Sequence, residues 1–213
     1  MRRLTEIEYR RAVEDLLGES EVLRSVELPS DLKNDLVENA EGDQVRRRTV
    51  EVYADAAEAL VGTPVFECED IDCSRSALEA FAVRAYRRPL SAGQRASLMS
   101  LFDSLLDEVG RDEAEHIAVA ALLQSPRFLY RLDIAADSEE GEWRALDDYD
   151  IASRISFLFT GRGPDAALMD DARDGRLADA SVRAAHVERL LEAPDNQRHV
   201  VSTFLRLWVD TEG

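Results

Sequence analysis

Basic residues are few in this chain: 26 Lys and Arg stand against 44 Asp and Glu, a formal net charge of -18 over 213 residues. Such a balance repels phosphate backbones and anionic lipid headgroups alike, which excludes nucleic acid and membrane surfaces as expected partners. Long apolar runs are missing as well. The longest, Ile117 to Leu123, falls far short of the roughly 20 residues needed to cross a bilayer, so no membrane span is expected. After Met1-Arg2-Arg3 the chain passes directly into charged residues, without the apolar stretch of roughly 7 to 15 that a secretory signal requires. Taken as it stands, the sequence predicts a cytoplasmic location.

Histidine and cysteine are equally scarce, with three of one and two of the other. Glu113 and His116 form the i, i+3 pair that di-iron bundles use, but such a centre needs a second pair. Arg183 precedes His186 and Asn196 precedes His199 at that spacing, so neither supplies it. No Gly-x-Ser-x-Gly elbow presents a serine, and no cysteine neighbours a plausible base. The acidic stretches Glu67 to Asp72 and Asp147-Asp148 lack the Asp-x-Asp-x-Asp-Gly spacing that wraps a calcium ion. No catalytic residue, metal site or cofactor is expected. Cys68 and Cys73 are not spaced as Cys-x-x-Cys, and no His follows to complete a haem attachment. A short-range disulfide in an oxidising compartment is the expectation, with free thiols as the alternative.

What the sequence does contain is the punctuation of helices. Thr5 with Glu8 forms a capping box that starts a first helix, whose apolar face continues through Val13, Leu16 and Leu17 to a left-handed cap at Gly18. Asp43 to Leu60 places Val45, Thr49, Val52, Ala56, Ala59 and Leu60 at near-helical spacing. Ser74 is read as the cap of a third helix that buries Leu78, Phe81, Ala82 and Ala85 and stops before Pro89. Ser91 with Gln94 opens the next, with a stripe of Leu98, Leu101, Phe102, Leu105 and Val109. Asp112 with Glu115 and Asp147 with Asp150 repeat the grammar. Ser125-Pro126 restarts a short helix that aims Phe128 and Leu129 inward. Pro164 starts a helix burying Leu168 and Ala172, and Ser181 to Ala193 forms another, ended by Pro194. The last segment carries Val201, Phe204, Leu205 and Trp208 at i, i+3, i+4 and i+7, an apolar stripe that something must cover.

No convincing alternating strand is present, so the fold class predicted is all-α, an irregular array of eight to ten short and medium helices. Three segments are expected within one body. They are an N-terminal helical domain at 1–62, a cysteine loop plus helical hairpin around Arg-Arg-Pro at 63–110, and a further helical domain at 111–213.

Taken in order, five strings resemble the planctomycete-cytochrome-associated domains of unknown function, the PSD set of large exported bacterial proteins. They are Arg87-Arg88-Pro89, Ser125-Pro126-Arg127-Phe128-Leu129-Tyr130-Arg131, Ala152 to Leu158 with Arg154, Pro164-Asp165, and Gly175-Arg176-Leu177. Leu4-Thr5-x-x-Glu8-Tyr9 through Gly18 resembles the first domain of that set. Thr160 departs from it, standing where such domains tend to carry Trp. The resemblance implies a helical fold and a periplasmic or cell-envelope context. It also implies large proteins with further domains, of which this chain would be a fragment or reduced version, and it brings no catalytic residues.

Arg84, Arg87, Arg88, Arg127, Arg131 and Arg154 are candidates to grip a carboxylate or sulfate, with structural ion pairing as the simpler account. Two functions follow as expectations. The first is a non-catalytic interaction module, with Phe204 and Trp208 marking the surface for a protein partner or missing downstream domain. The alternative is part of an exported redox (haem-associated) or polysaccharide-processing enzyme.

Overall fold

The computed structural model describes residues 2–19, 21–28, 47–62, 65–131 and 146–209, the side chains of 47–49 and 206–209 excepted. Its helices are α1 (Glu6–Leu17), α2 (Glu21–Ser25), α3 (Arg47–Leu60), α4 (Ile71–Tyr86), α5 (Ala92–Val109) and α6 (Arg111–Gln124). They continue with α7 (Pro126–Leu129), α8 (Asp148–Thr160), α9 (Ala166–Arg173), α10 (Ala180–Leu191) and α11 (Pro194–Val209). The all-α expectation holds, and the short α2, which sequence punctuation did not mark, carries the number past eight to ten. Two strands, β1 (Arg2–Arg3) and β2 (Tyr130–Arg131), pair as a small sheet. At two residues each they are too short to leave an alternating pattern in the sequence.

The described residues form two compact units. One takes in 3–28 and 47–130, the other Arg2 and 146–209 together with Arg131. In the first, α6 is the central rod. It packs against α3, α4, α5 and α7 and buries Ala114, Ala118, Val119, Ala120, Leu122 and Leu123, most of them from its apolar C-terminal half. Helix α1 lies on α4, with Tyr9 tilted against Tyr53 and edge-on to Phe128.

Local chemistry sets most helix starts. Glu8 N–H donates to Thr5 Oγ1 (3.3 Å) while Thr5 N–H donates to Glu8 Oε2 (2.9 Å), and Ser91 and Gln94 repeat the reciprocal pair at α5. Ser125 caps α7, with Pro126 at its first position, and Asp147 caps α8. Three expected features are corrected. Asp70, not Ser74, caps α4 by accepting from Cys73 N–H at 2.7 Å; the two residue types cap about equally well, and the Ser74 hydroxyl is drawn inward to Glu115. Helix α6 starts after Gly110 with no side-chain cap, and Glu115 turns inward instead of closing a box with Asp112. Pro194 opens α11 rather than only ending α10, as its fixed φ permits.

Two faces also differ. The buried side of α3 is Tyr53, Ala56, Ala57 and Leu60, while Ala59 is exposed; Val45 lies outside the described residues. On α5 only Leu98 and Phe102 are buried, and Leu101 and Val109 face solvent. Gly18 and Gly110 end α1 and α5 at φ +86° and +81° with ψ near 175°. That is an extended mirror conformation reserved for glycine, rather than the left-handed helical cap expected at Gly18.

The second unit packs Ala152, Leu168, Ala172, Leu177 and Leu190 into one cluster, lined by Tyr149, Ile151, Ile155, Phe159 and Val182. Asp165 caps α9 and Gly175, left-handed, leads into a 3-10 turn at Arg176–Ala178. Helix α11 packs on α8 and α10. Among the described residues no helix is long and apolar enough to cross a membrane.

Candidate functional site

The two arginine-proline strings meet at Arg87. Helix α4 stops there because Arg87 adopts φ 58°, ψ 25°, the sole positive φ among described residues other than glycine. Left-handed backbone costs an ordinary side chain on the order of 1 kcal/mol, so something must hold it. Arg87 is buried, and its guanidinium fans across the end of α7. Nη2 donates to the carbonyl oxygens of Arg127 (2.7 Å), Phe128 (3.1 Å) and Tyr130 (3.1 Å), and Nη1 also donates to Phe128 (3.2 Å). Its Cζ lies 6.0 Å from the Phe128 ring centre. A four-residue helix leaves its last carbonyls without intrahelical donors, and one planar fork supplies them. Pro89 then keeps the chain from resuming helix before Ser91.

The other arginines of the candidate set have separate tasks. Arg84 donates to the Asp15 carbonyl, Arg127 gives its backbone N–H to Ser125 Oγ, and the half-buried Arg88 bonds through its N–H to the Val83 carbonyl at 3.3 Å. In the second unit Arg131 stacks over Phe157 at 5.6 Å, and Arg154 is exposed on α8. Pro126, Phe128 and Tyr130 shape the turn that Arg87 closes, Phe128 and Tyr130 being buried. Arg87 thus directs both of its Nη groups at backbone carbonyls.

Cys68 and Cys73 form a disulfide, with Cα atoms 5.5 Å apart. Of the α11 stripe, Val201, Phe204 and Leu205 are 56%, 60% and 46% exposed, and the Trp208 side chain lies outside the described residues.

Two polar arrangements join residues that the sequence did not bring together. Glu115 is 1% exposed and accepts from Ser74 Oγ (2.5 Å) and Phe66 N–H (3.3 Å). In the second unit, Arg189 clasps Asp165 with both nitrogens (2.7 and 3.1 Å) and also donates to His186 Nδ1 (3.1 Å). That assigns the ring proton to Nε2, which donates to Asp171 at 2.9 Å. Arg176 pairs with Asp171 as well. The only local signals were Asp165 behind Pro164 and the i, i+3 spacing of His186 and Arg189.

Partial burial works to raise the Asp165 pKa, yet the Arg189 hydrogen bonds and the Leu168 N–H outweigh it and hold the carboxyl below its ordinary value. A depressed carboxyl stabilises the fold above its unfolded pKa and loses that contribution as pH falls through the folded value. Asp165→Asn, which keeps the cap, is therefore expected to leave the melting temperature of this unit less sensitive to acid below about pH 4. Calorimetry of both proteins from pH 6 to 3 measures the difference in slope.

The fold and this site define an all-helical protein in which a buried arginine serves as a corner brace. Three family models match in succession. Residues 2–65 match PSD3, a protein of unknown function (DUF1587), 73–133 match PSD5, a protein of unknown function (DUF1595), and 146–213 match PSD4, a protein of unknown function (DUF1592). The chain belongs to the PSD set. No curated protein and no solved structure matches it. The PSD3 and PSD5 segments share one body, since α1 and α3 of the former pack on α4 and α6 of the latter.

Proposed function

We propose that this chain is a non-catalytic helical module of a cell-envelope system, which packs against a protein partner through α11. The observation that carries the reading is the apolar face of Val201, Phe204 and Leu205, each about half exposed or more. Apolar area removed from water contributes roughly 25 cal/mol per Å², so covering such a face drives association. The Cys68–Cys73 disulfide supports an oxidising compartment, where such bonds persist.

The test places a photo-crosslinking amino acid at Val201, or at exposed Ser97 as a control, in the native host. The expected outcome is one discrete partner polypeptide crosslinked from 201, absent from 97, and lost when Phe204→Asp is added. Crosslinks from 201 that fall only within the chain, or equal products from both positions, overturn the reading.

A further inference from the structure

The Cys68–Cys73 bridge is placed where breaking it has a consequence. Cys73 sits exposed in the first turn of α4 and Cys68 is half-buried, so thiol reagents can approach the sulfurs from solvent. The chain on either side of the bridge is tied to the rest of its unit. Phe66 packs edge-on against Phe81, 6.3 Å between ring centres, and its N–H donates to the buried carboxylate of Glu115 on α6. Asp70 caps α4, and Ser74, one residue past the bridge, donates to both the Asp70 carbonyl and Glu115. Glu115 therefore receives one bond from each side of the bridged segment. A buried carboxylate is costly unless its hydrogen bonds are kept, and the bridge keeps the two donors at their stations.

We propose that Cys68–Cys73 is a reversible redox latch, reduced by a dithiol, whose opening frees residues 65–70 from Glu115 and hydrates that carboxylate. The chemistry is ordinary thiol–disulfide exchange. A thiolate of the dithiol attacks Cys68 Sγ and the protein S–S bond breaks. Cys73 leaves as a thiolate at the start of α4, where the peptide dipoles favour negative charge. The second thiol of the reductant then displaces Cys68. In sum the protein disulfide gains two electrons and two protons, and the dithiol loses the same and becomes a disulfide. Because the bridge closes a ring of sequence separation 5, its loss changes the freedom of this segment rather than the whole fold.

The experiment uses the full chain with dithiothreitol in native buffer, followed by thiol titration, circular dichroism and amide exchange. Two thiols per chain are expected to appear while the helical signal is kept. Exchange at Phe66 is expected to rise roughly thirtyfold, the chain-entropy value for so short a ring, with residues 148–190 unchanged and protection restored on reoxidation. The double variant Cys68→Ser/Cys73→Ser is expected to match the reduced protein in thiol-free buffer. The proposal is overturned if thiols appear only on global unfolding, if Phe66 exchange is unchanged by reduction, or if the double variant stays as protected as the oxidised chain.

Discussion

Arg87→Ala is expected to destabilise the unit formed by residues 3–28 and 47–130 by roughly 3–5 kcal/mol, the scale set by leaving several buried acceptors unpaired. The substitution removes the Arg87 donors that reach the carbonyls of Arg127, Phe128 and Tyr130, and water has poor access to replace them because Phe128 and Tyr130 are buried. It also strips the cation from the face of the Phe128 ring. Two companion variants separate the causes. Arg87→Lys keeps the charge but presents a single ammonium where a planar fork is needed, so most of the loss should remain. Arg87→Gly relieves the left-handed backbone, which returns about 1 kcal/mol, and should still be less stable than wild type because the clamp is gone. If glycine proves more stable than arginine, the residue matters only as a helix terminator. Denaturant titration of the three variants, with amide exchange to localise the change, decides between these outcomes.

Leu168→Ala is expected to cost the other unit about 3 kcal/mol, within the range for emptying a fully buried leucine site. Leu168 is buried among Ala152, Ala172, Leu177 and Leu190. Two of those neighbours are alanines, which have no side chain long enough to close the cavity. Leu158→Ala on α8 is the control. That side chain is 62% exposed, and its truncation should stay within about 0.5 kcal/mol. Thermal unfolding followed by calorimetry, with exchange at 148–190 to identify the unit, measures both. Equal effects from the two substitutions would mean that the cluster does not hold this unit together.

The features legible in the sequence were those decided within four or five residues. Thr5 with Glu8, Ser91 with Gln94, Ser125 with Arg127 and Asp147 with Asp150 each contain both the donor and the acceptor of their cap, so reading them required no knowledge of the fold. Ser74 failed for a related reason: Asp70 offered a second cap nearby, and only packing, which draws the Ser74 hydroxyl toward Glu115, decides which is used. Glu115 looked like a surface carboxylate in a capping box, and its burial depends on Phe66 and Ser74, 49 and 41 residues away.

The candidate site divides in the same manner. The arginine-proline strings stood out from composition and order alone, and the PSD resemblance drawn from them is shown by the matches along the chain. That Arg87 rather than its neighbours carries the brace was not legible, because a non-glycine residue at positive φ has no sequence signature and its partners lie 40 to 43 residues downstream. The apolar face of α11 was visible as a period of Val201, Phe204 and Leu205. Its role as an uncovered surface was already expected at Phe204 and Trp208; that α8 and α10 are the helices α11 packs on came only from the structure.

The central claim is that the arginine at the end of α4 is a structural brace, with both Nη groups bound to backbone carbonyls of the Ser-Pro-Arg-Phe-Leu-Tyr-Arg turn. Nuclear magnetic resonance of the Arg87 guanidinium measures this directly. The account predicts slow rotation and slow proton exchange at its Nη groups, with hydrogen-bond couplings to the carbonyl carbons of Arg127, Phe128 and Tyr130, unchanged when sulfate or acetate is added. Rapidly exchanging Nη protons, or resonances that shift saturably with either anion, would contradict it.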